Sequence, residues 1–178
     1  MLEDLQTQSH QQEADSSLAF DHPQSPQGDL YLRFAVPSGA EFALPAAGIQ
    51  EVMQQSVDKI APVPNASPLM LGAINLRGQV IWVADLGKFL EDPAELKASR
   101  GDIDVIIIEE SQDTIVGLAV NRLGEMEWLD IKQLQPGSNI PDAVAPYVQG
   151  EWRSETNSEE VIRLLNYSAI LRSARWAV

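Results

Sequence analysis

Apolar residues come in short runs separated by turn-forming residues, and strands rather than long helices fit that pattern. Leu30–Val36 alternates loosely and closes on Pro37-Ser38-Gly39, a hairpin-like turn leading to Glu41–Leu44. Pro45-Ala-Ala-Gly48 is too short for a full helix and gives way to a strand over Ile49–Gln54. Pro62, Pro64 and Pro68 interrupt regular pairing, because proline cannot donate to a ladder. Met70–Leu76 and Gln79–Ala84 then form a hairpin across Arg77-Gly78, where glycine permits the positive φ of a tight turn. Asp85–Leu90 reads as a short amphipathic piece. Asp92-Pro93-Ala94-Glu95 carries an N-cap, a first-turn proline and a capping-box acid, predicting a brief helix that ends before Gly101.

Ile103–Ile108 and Thr114–Val120, rich in β-branched residues, predict a second hairpin turned by Glu109–Asp113. Asn121–Leu129 continues the chain with Leu123, Met126 and Trp128. A loop containing Pro136, Gly137, Pro141 and Pro146 then leads to Tyr147–Trp152, and Val161–Leu165 is a further strand. In Asn166–Trp176, Tyr167, Ile170, Leu171 and Ala174 fall on one helical face, so the chain closes on a helix. No long repeat is visible. The predicted class is mainly β, with short helices and barrel-like subdomains.

Composition narrows what such a fold does. With 44% hydrophobic residues the 178-residue chain can build a core without staples. Residues 1–28 are set apart: they hold Glu3, Asp4, Glu13, Asp15 and Asp21, many Gln, Pro23, Pro26 and Gly28, but no Lys or Arg. That stretch has too little apolar surface to offset its ordering entropy, and it reads as a disordered acidic tail. It is too polar for a signal peptide, and no run approaches the roughly 20 apolar residues of a membrane span. The expected location is the cytoplasm. Asn65-Ala-Ser67 and Asn166-Tyr-Ser168 then read as chance glycosylation triplets. A net charge of −14 argues against a nucleic-acid partner and against docking on an anionic leaflet.

Reactive chemistry is scarce. There is no cysteine, and both histidines, His10 and His22, lie in the tail. Ser-His, Cys-His and imidazole-metal arrangements are therefore not expected, and neither is a cofactor or metal. Gly72 and Gly78 stand one residue too far apart for a phosphate loop, and Gln79 follows where it needs lysine. Paired acids such as Glu109-Glu110 and Glu159-Glu160 read as solvated surface. The chain has the profile of a binding module and not of an enzyme.

Two places suit contact. In Ile49-Gln-Glu-Val52, Glu51 lies between apolar neighbours; it is either an anchor or an edge-strand acid that discourages aggregation. Arg77, the one basic residue between Lys59 and Lys88, tips an apolar hairpin as an anchor or as a solvated turn residue. Nothing in the sequence puts the two in contact.

Gly72-Ala-Ile-Asn75-Leu76-Arg77-Gly78-Gln-Val80-Ile-Trp-Val83-Ala-Asp85-Leu86 resembles the hallmark hairpin of CheW-like domains. The proline-containing approach Pro62–Gly72 and the opening strands Tyr31–Val36, Glu41–Leu44 and Ile49–Val52 are similar too. The match is looser over Val105–Glu109, Val116–Val120 and Tyr147-Val-Gln-Gly150. It runs from about residue 29 to the end, so 29–178 is expected to be one CheW-like domain. The resemblance implies two small five-stranded SH3-like β-barrels on a shared hydrophobic core. It implies an adaptor that couples the regulatory domain of a CheA-type histidine kinase to a receptor's cytoplasmic helical tip, and is recruited through them to membrane receptor arrays.

It also implies partner-binding roles for Ile49, Glu51, Val52, Asn75, Arg77, Gly78, Asp85 and Leu86, with the receptor tip in an apolar groove between the barrels. Asn121-Arg122 departs from the family's frequent acid-Arg pair. The long tail and the Trp82-Val-Ala-Asp85 wording resemble the cyanobacterial phototaxis or type IV pilus motility branch. The competing class is a small ligand-binding or hydrolytic β-barrel using surface carboxylates.

Overall fold

The computed structural model describes residues 27–111 and 113–177, so most of the expected tail, with both histidines, lies outside the described residues. Strand β1 (Asp29–Ala35) pairs antiparallel with β2 (Glu41–Pro45) across the Pro37-Ser38-Gly39 turn. After a 3₁₀ turn at Ala46–Gly48 comes β3 (Ile49–Ser56). The next hairpin is β4 (Met70–Leu76) and β5 (Gln79–Asp85), followed by the one-turn helix α1 (Leu86–Phe89). β6 (Asp102–Ser111) and β7 (Thr114–Val120) form the third hairpin and lead into β8 (Arg122–Leu129). The last hairpin is β9 (Val148–Arg153) and β10 (Val161–Leu165), closed by α2 (Tyr167–Leu171).

The strands form two five-stranded sheets, ordered β8-β1-β2-β10-β9 and β3-β6-β7-β5-β4. Both orders obey one rule. In each sheet a hairpin lies beside an edge strand, and its second strand pairs in parallel with the second strand of another hairpin (β2 with β10, β7 with β5). The edge strand is lent by the other half of the chain: β3 leaves the β1-β2 hairpin for the second sheet, and β8 leaves β6-β7 for the first. The helices repeat the pattern, since α1 follows β5 and α2 follows β10, with Asp85 and Asn166 accepting from the Lys88 and Ala169 backbone N–H groups at 3.0 Å. The chain is thus a strand-exchanged pair of SH3-like subdomains, the expected mainly β architecture.

Alternation along the strands gives each sheet two apolar faces. Tyr31, Ala43, Trp152 and Leu164 fill the interior of the first subdomain, and Ile74, Ile81, Val83, Val105 and Ile107 fill that of the second. Between them lies the shared core, where Phe34, Phe42 and Leu44 of one sheet meet Ile106, Ile108 and Leu118 of the other around Leu86, Phe89 and Ile170. Phe89 stacks on Trp176 with ring centroids 4.4 Å apart and tilts against Tyr147 at 4.7 Å.

Two predicted elements differ. No helix forms at Asp92–Glu95. Asp92 instead accepts from the Ala94 N–H at 2.8 Å and from the Ser38 hydroxyl, so its carboxylate pins a turn to the β1-β2 loop. Arg100 and Gly101, at φ 55° and 88°, then turn the chain into β6 before a helical nucleus can grow. The C-terminal helix stops after Leu171, because Ser173 caps a separate 3₁₀ turn over Ala174–Trp176 that seats Trp176 on Phe89.

Candidate functional site

At the tip of the β4-β5 hairpin, Arg77 and Gly78 have φ of 51° and 84°, the paired left-handed conformations of a type I′ turn. Asn75 closes the turn by accepting the Gly78 N–H at 2.9 Å through Oδ1. The turn aims the Arg77 guanidinium across to β3, where Nη2 donates to Glu51 Oε2. The two residues the sequence left unconnected are therefore an ion pair, and it joins the hairpin tip to the edge strand of the same sheet.

Glu51 stands at the rim of a groove of about 390 Å3 between the two exchanged strands. Ile49, Glu51 and Val52 line one wall from β3, and Leu123, Gly124 and Met126 line the other from β8, with Leu32 beneath. Val52 and Met126 are 45% and 48% exposed, so the surface is apolar and open to solvent.

The eight residues expected to contact partners thus divide. Ile49, Glu51, Val52 and Arg77 surround the groove, while Asn75 and Gly78 shape the turn that presents Arg77. Asp85 and Leu86 are corrected: neither offers surface. Asp85 is buried and caps α1, and Leu86 is sealed in the shared core, so both hold the hairpin-helix corner from within. The β8 wall went unassigned in the sequence, although the i, i+2 spacing of Met126 and Trp128 was a signal that both face one way.

Arg122 begins β8 on the face away from the groove, exposed beside Arg33 and Glu41 and without an ion pair among the described residues; its neighbour Leu123 donates its N–H to Asp104 Oδ2 at 3.1 Å. Glu151 was also missed. Its side chain is fully buried, accepts the Ser138 N–H and hydroxyl at 3.1 and 3.0 Å, and pairs with Arg153 and Arg163. Burial pushes the Glu151 pKa up, but Ser138 and Arg153 outweigh it and hold the carboxyl below its usual range. On the opposite barrel, the exposed Glu110 carboxylate takes hydrogen bonds from Ser168 and Arg172, which lower its pKa and tie α2 to β6.

A larger cleft of about 580 Å3 lies on the outer face of the first subdomain and includes Glu127, Glu155 and Glu160. Glu127 is held by Arg33, itself shared with Glu41, and Glu155 and Glu160 are exposed on the β9-β10 connection. No acid/base pair converges there. The arrangement with the most shape is the groove between exchanged strands, with a charged pair at its rim. It defines the molecule as a double SH3-like barrel with a surface for contact.

The comparisons with known proteins agree. The family model for the CheW-like domain matches residues 31–175, and the chain belongs to that family. Among curated relatives it is 24% identical to protein FrzA of Myxococcus xanthus over 132 residues, covering 74% of this chain and 79% of FrzA. It is 28% identical to the chemotaxis protein CheW of Rhizobium meliloti (strain 1021) over 101 residues, covering 56% of this chain and 61% of that one. The fold matches the crystal structure of the scaffolding protein TtCheW from Thermoanaerobacter tengcongensis with a TM-score of 0.69 at 21% identity. That match covers 84% of this chain and 96% of TtCheW.

Proposed function

We propose that this chain is a non-catalytic coupling adaptor. It joins the regulatory domain of a CheA-type histidine kinase to the cytoplasmic helical tip of a sensory receptor, and it works in the cytoplasm at receptor arrays. The observation that carries this reading is the groove between β3 and β8. It is apolar, open at the seam of two rigid barrels, and rimmed by the Glu51–Arg77 pair. An amphipathic helix can lay its apolar face there, as in other helix-in-groove recognition. Membership of the CheW-like family, with a chemotaxis protein and a scaffolding protein among the similar chains, supports the same role.

Signal transfer then needs no bond made or broken. The adaptor fixes kinase and receptor in one geometry, and a receptor state with different contacts in the groove biases the kinase. Titration calorimetry with a receptor helical-tip fragment and, separately, with the kinase regulatory domain tests the reading. Both are expected to bind. Val52→Asp, which desolvates a charge in the groove, is expected to weaken the receptor fragment by at least about tenfold, roughly 1.4 kcal/mol, and to leave kinase affinity unchanged. Absence of binding to both partners by the unsubstituted chain overturns the proposal.

A further inference from the structure

Because the two halves share one topology, equivalent positions can be compared between them. A single bridge joins Gln135 to Glu151 in the first subdomain and Ala61 to Ala73 in the second. Across the hairpin from these stand Arg163 and Trp82. Further along each loop an asparagine takes a left-handed φ, Asn139 at 51° and Asn65 at 56°, preceded by Ser138 and Pro64. In the first subdomain this corner is shut: Ser138 donates its N–H and hydroxyl to Glu151, and Arg163 pairs with Glu151 and donates to the Ser138 carbonyl. In the second, Ala73, Trp82 and Pro64 hold the same places, and no polar latch draws the loop in. A groove of about 400 Å3 stands open there between the loop and the C-terminal turn, walled by Trp82, Trp176, Pro64, Met70 and Leu171. Trp82 is 40% exposed, and Val80, on the same face of β5, is 64% exposed.

Unmet donors decide what fits. The indoles of Trp152 and Trp176 donate to the Asp130 and Ile170 carbonyls, but the Trp82 indole N–H and the Asn65 amide have no protein partner among the described residues. A helix uses its backbone carbonyls internally and leaves both donors unmet. An added strand needs a free sheet edge, and β5 lies between β4 and β7. An extended polyproline II segment keeps its carbonyls free and packs its prolines on aromatic rings.

Charge narrows the partner further. Asp113 is the one charged residue on the lining among the described residues, and Glu109, opposite Ile115 in the ladder, shares the face of that wall residue. Neither acid has an ion pair among the described residues, whereas the nearby Arg172 and Arg175 are held by Glu110 and Glu91. We infer that this groove binds an extended proline-rich segment of another protein, one that carries a basic residue beside its prolines. A proline ring packs against Trp82 and Trp176, the Trp82 and Asn65 donors take two of the segment's carbonyls, and the basic side chain meets Asp113. The groove shares no lining residue with the one between β3 and β8, so this inference stands apart from the adaptor reading.

The probes are two capped peptides, Pro-Pro-Leu-Pro-Pro-Arg and its reverse, since the groove's contacts do not set a chain direction. Added to the full-length protein, at least one is expected to shift the Trp82 indole N–H signal saturably and to leave the Trp128 indole in place. By calorimetry, Trp82→Phe keeps a ring but removes the donor, and is expected to weaken binding about fivefold. Asp113→Asn is expected to weaken it about threefold, and to leave unchanged the affinity of a peptide whose arginine is replaced by glutamine. No Trp82 shift with either peptide overturns the inference, as does a shift of Trp128 in its place. So does an equal Trp82 shift by an amphipathic helical peptide of the same charge, which assigns the groove to a helix. Movement of the Trp82 signal on dilution of the protein alone also overturns it, by assigning the face to a second copy. Neither kinase nor receptor enters these titrations, so their outcome is separate from that of the adaptor reading.

Discussion

Arg77 is 70% exposed at its side chain, and Glu51 24%. An ion pair that wet contributes about 0.2–1 kcal/mol to folding, so its value lies elsewhere. Arg77→Ala is expected to leave the melting temperature almost unchanged. In stopped-flow mixing with a groove-binding partner it should slow association and flatten the salt dependence more than it speeds dissociation, as loss of a rim charge does. Glu151 is the opposite case, fully buried with its charge matched. Its folded pKa is depressed, so its stabilisation is present above the ordinary carboxylate range of about 4.3 and is lost as pH falls through the folded value. Glu151→Gln is therefore expected to lower the urea midpoint at neutral pH and to flatten its decline in acid. A parallel decline in both proteins would show that Glu151 does not couple folding to protons.

Among the elements, the β4-β5 hairpin was the most legible, because Asn-Leu-Arg-Gly states both the turn and its closure. Gly78→Val tests it. A Cβ there meets nothing within 4 Å, so the cost is the left-handed φ alone, about 1–2 kcal/mol with a β-branched residue at the upper end. The variant should fold with a lowered melting temperature and a displaced Arg77, read as weaker partner binding. The absence of a helix at Asp92–Glu95 and the early end of the C-terminal helix share a reason. Capping residues mark where a backbone N–H needs an acceptor, and Asp92 and Ser173 supply one to short turns as readily as to helices. Which turn follows is decided by remote contacts: Ser38 for Asp92, and the Phe89 ring for Trp176.

The whole molecule unfolds as one unit if its core is as shared as the packing indicates. Phe89 belongs to neither sheet yet touches the region where both meet, and it is fully buried. Phe89→Ala is expected to cost about 3–5 kcal/mol and to keep a single transition, with circular dichroism and tryptophan fluorescence losing signal together. Two separated transitions would show that the subdomains hold themselves up independently. The strand exchange explains why coupling is expected, since each sheet is completed by an edge strand from the other half of the chain.

By itself the chain's lettering determined the strands, the tight hairpin turn, the scarcity of reactive groups and the family likeness. All of these rest on local periodicity, on residue types with restricted backbones, or on chemistry that is absent from the composition. Tertiary structure alone decided that Glu51 meets Arg77, that Asp85 and Leu86 are interior, and that β8 supplies half of the groove. It also decided that two halves without visible repetition share one topology. Those facts depend on which strands pair across long stretches of chain, and side-chain order along the backbone does not encode a partner many residues away.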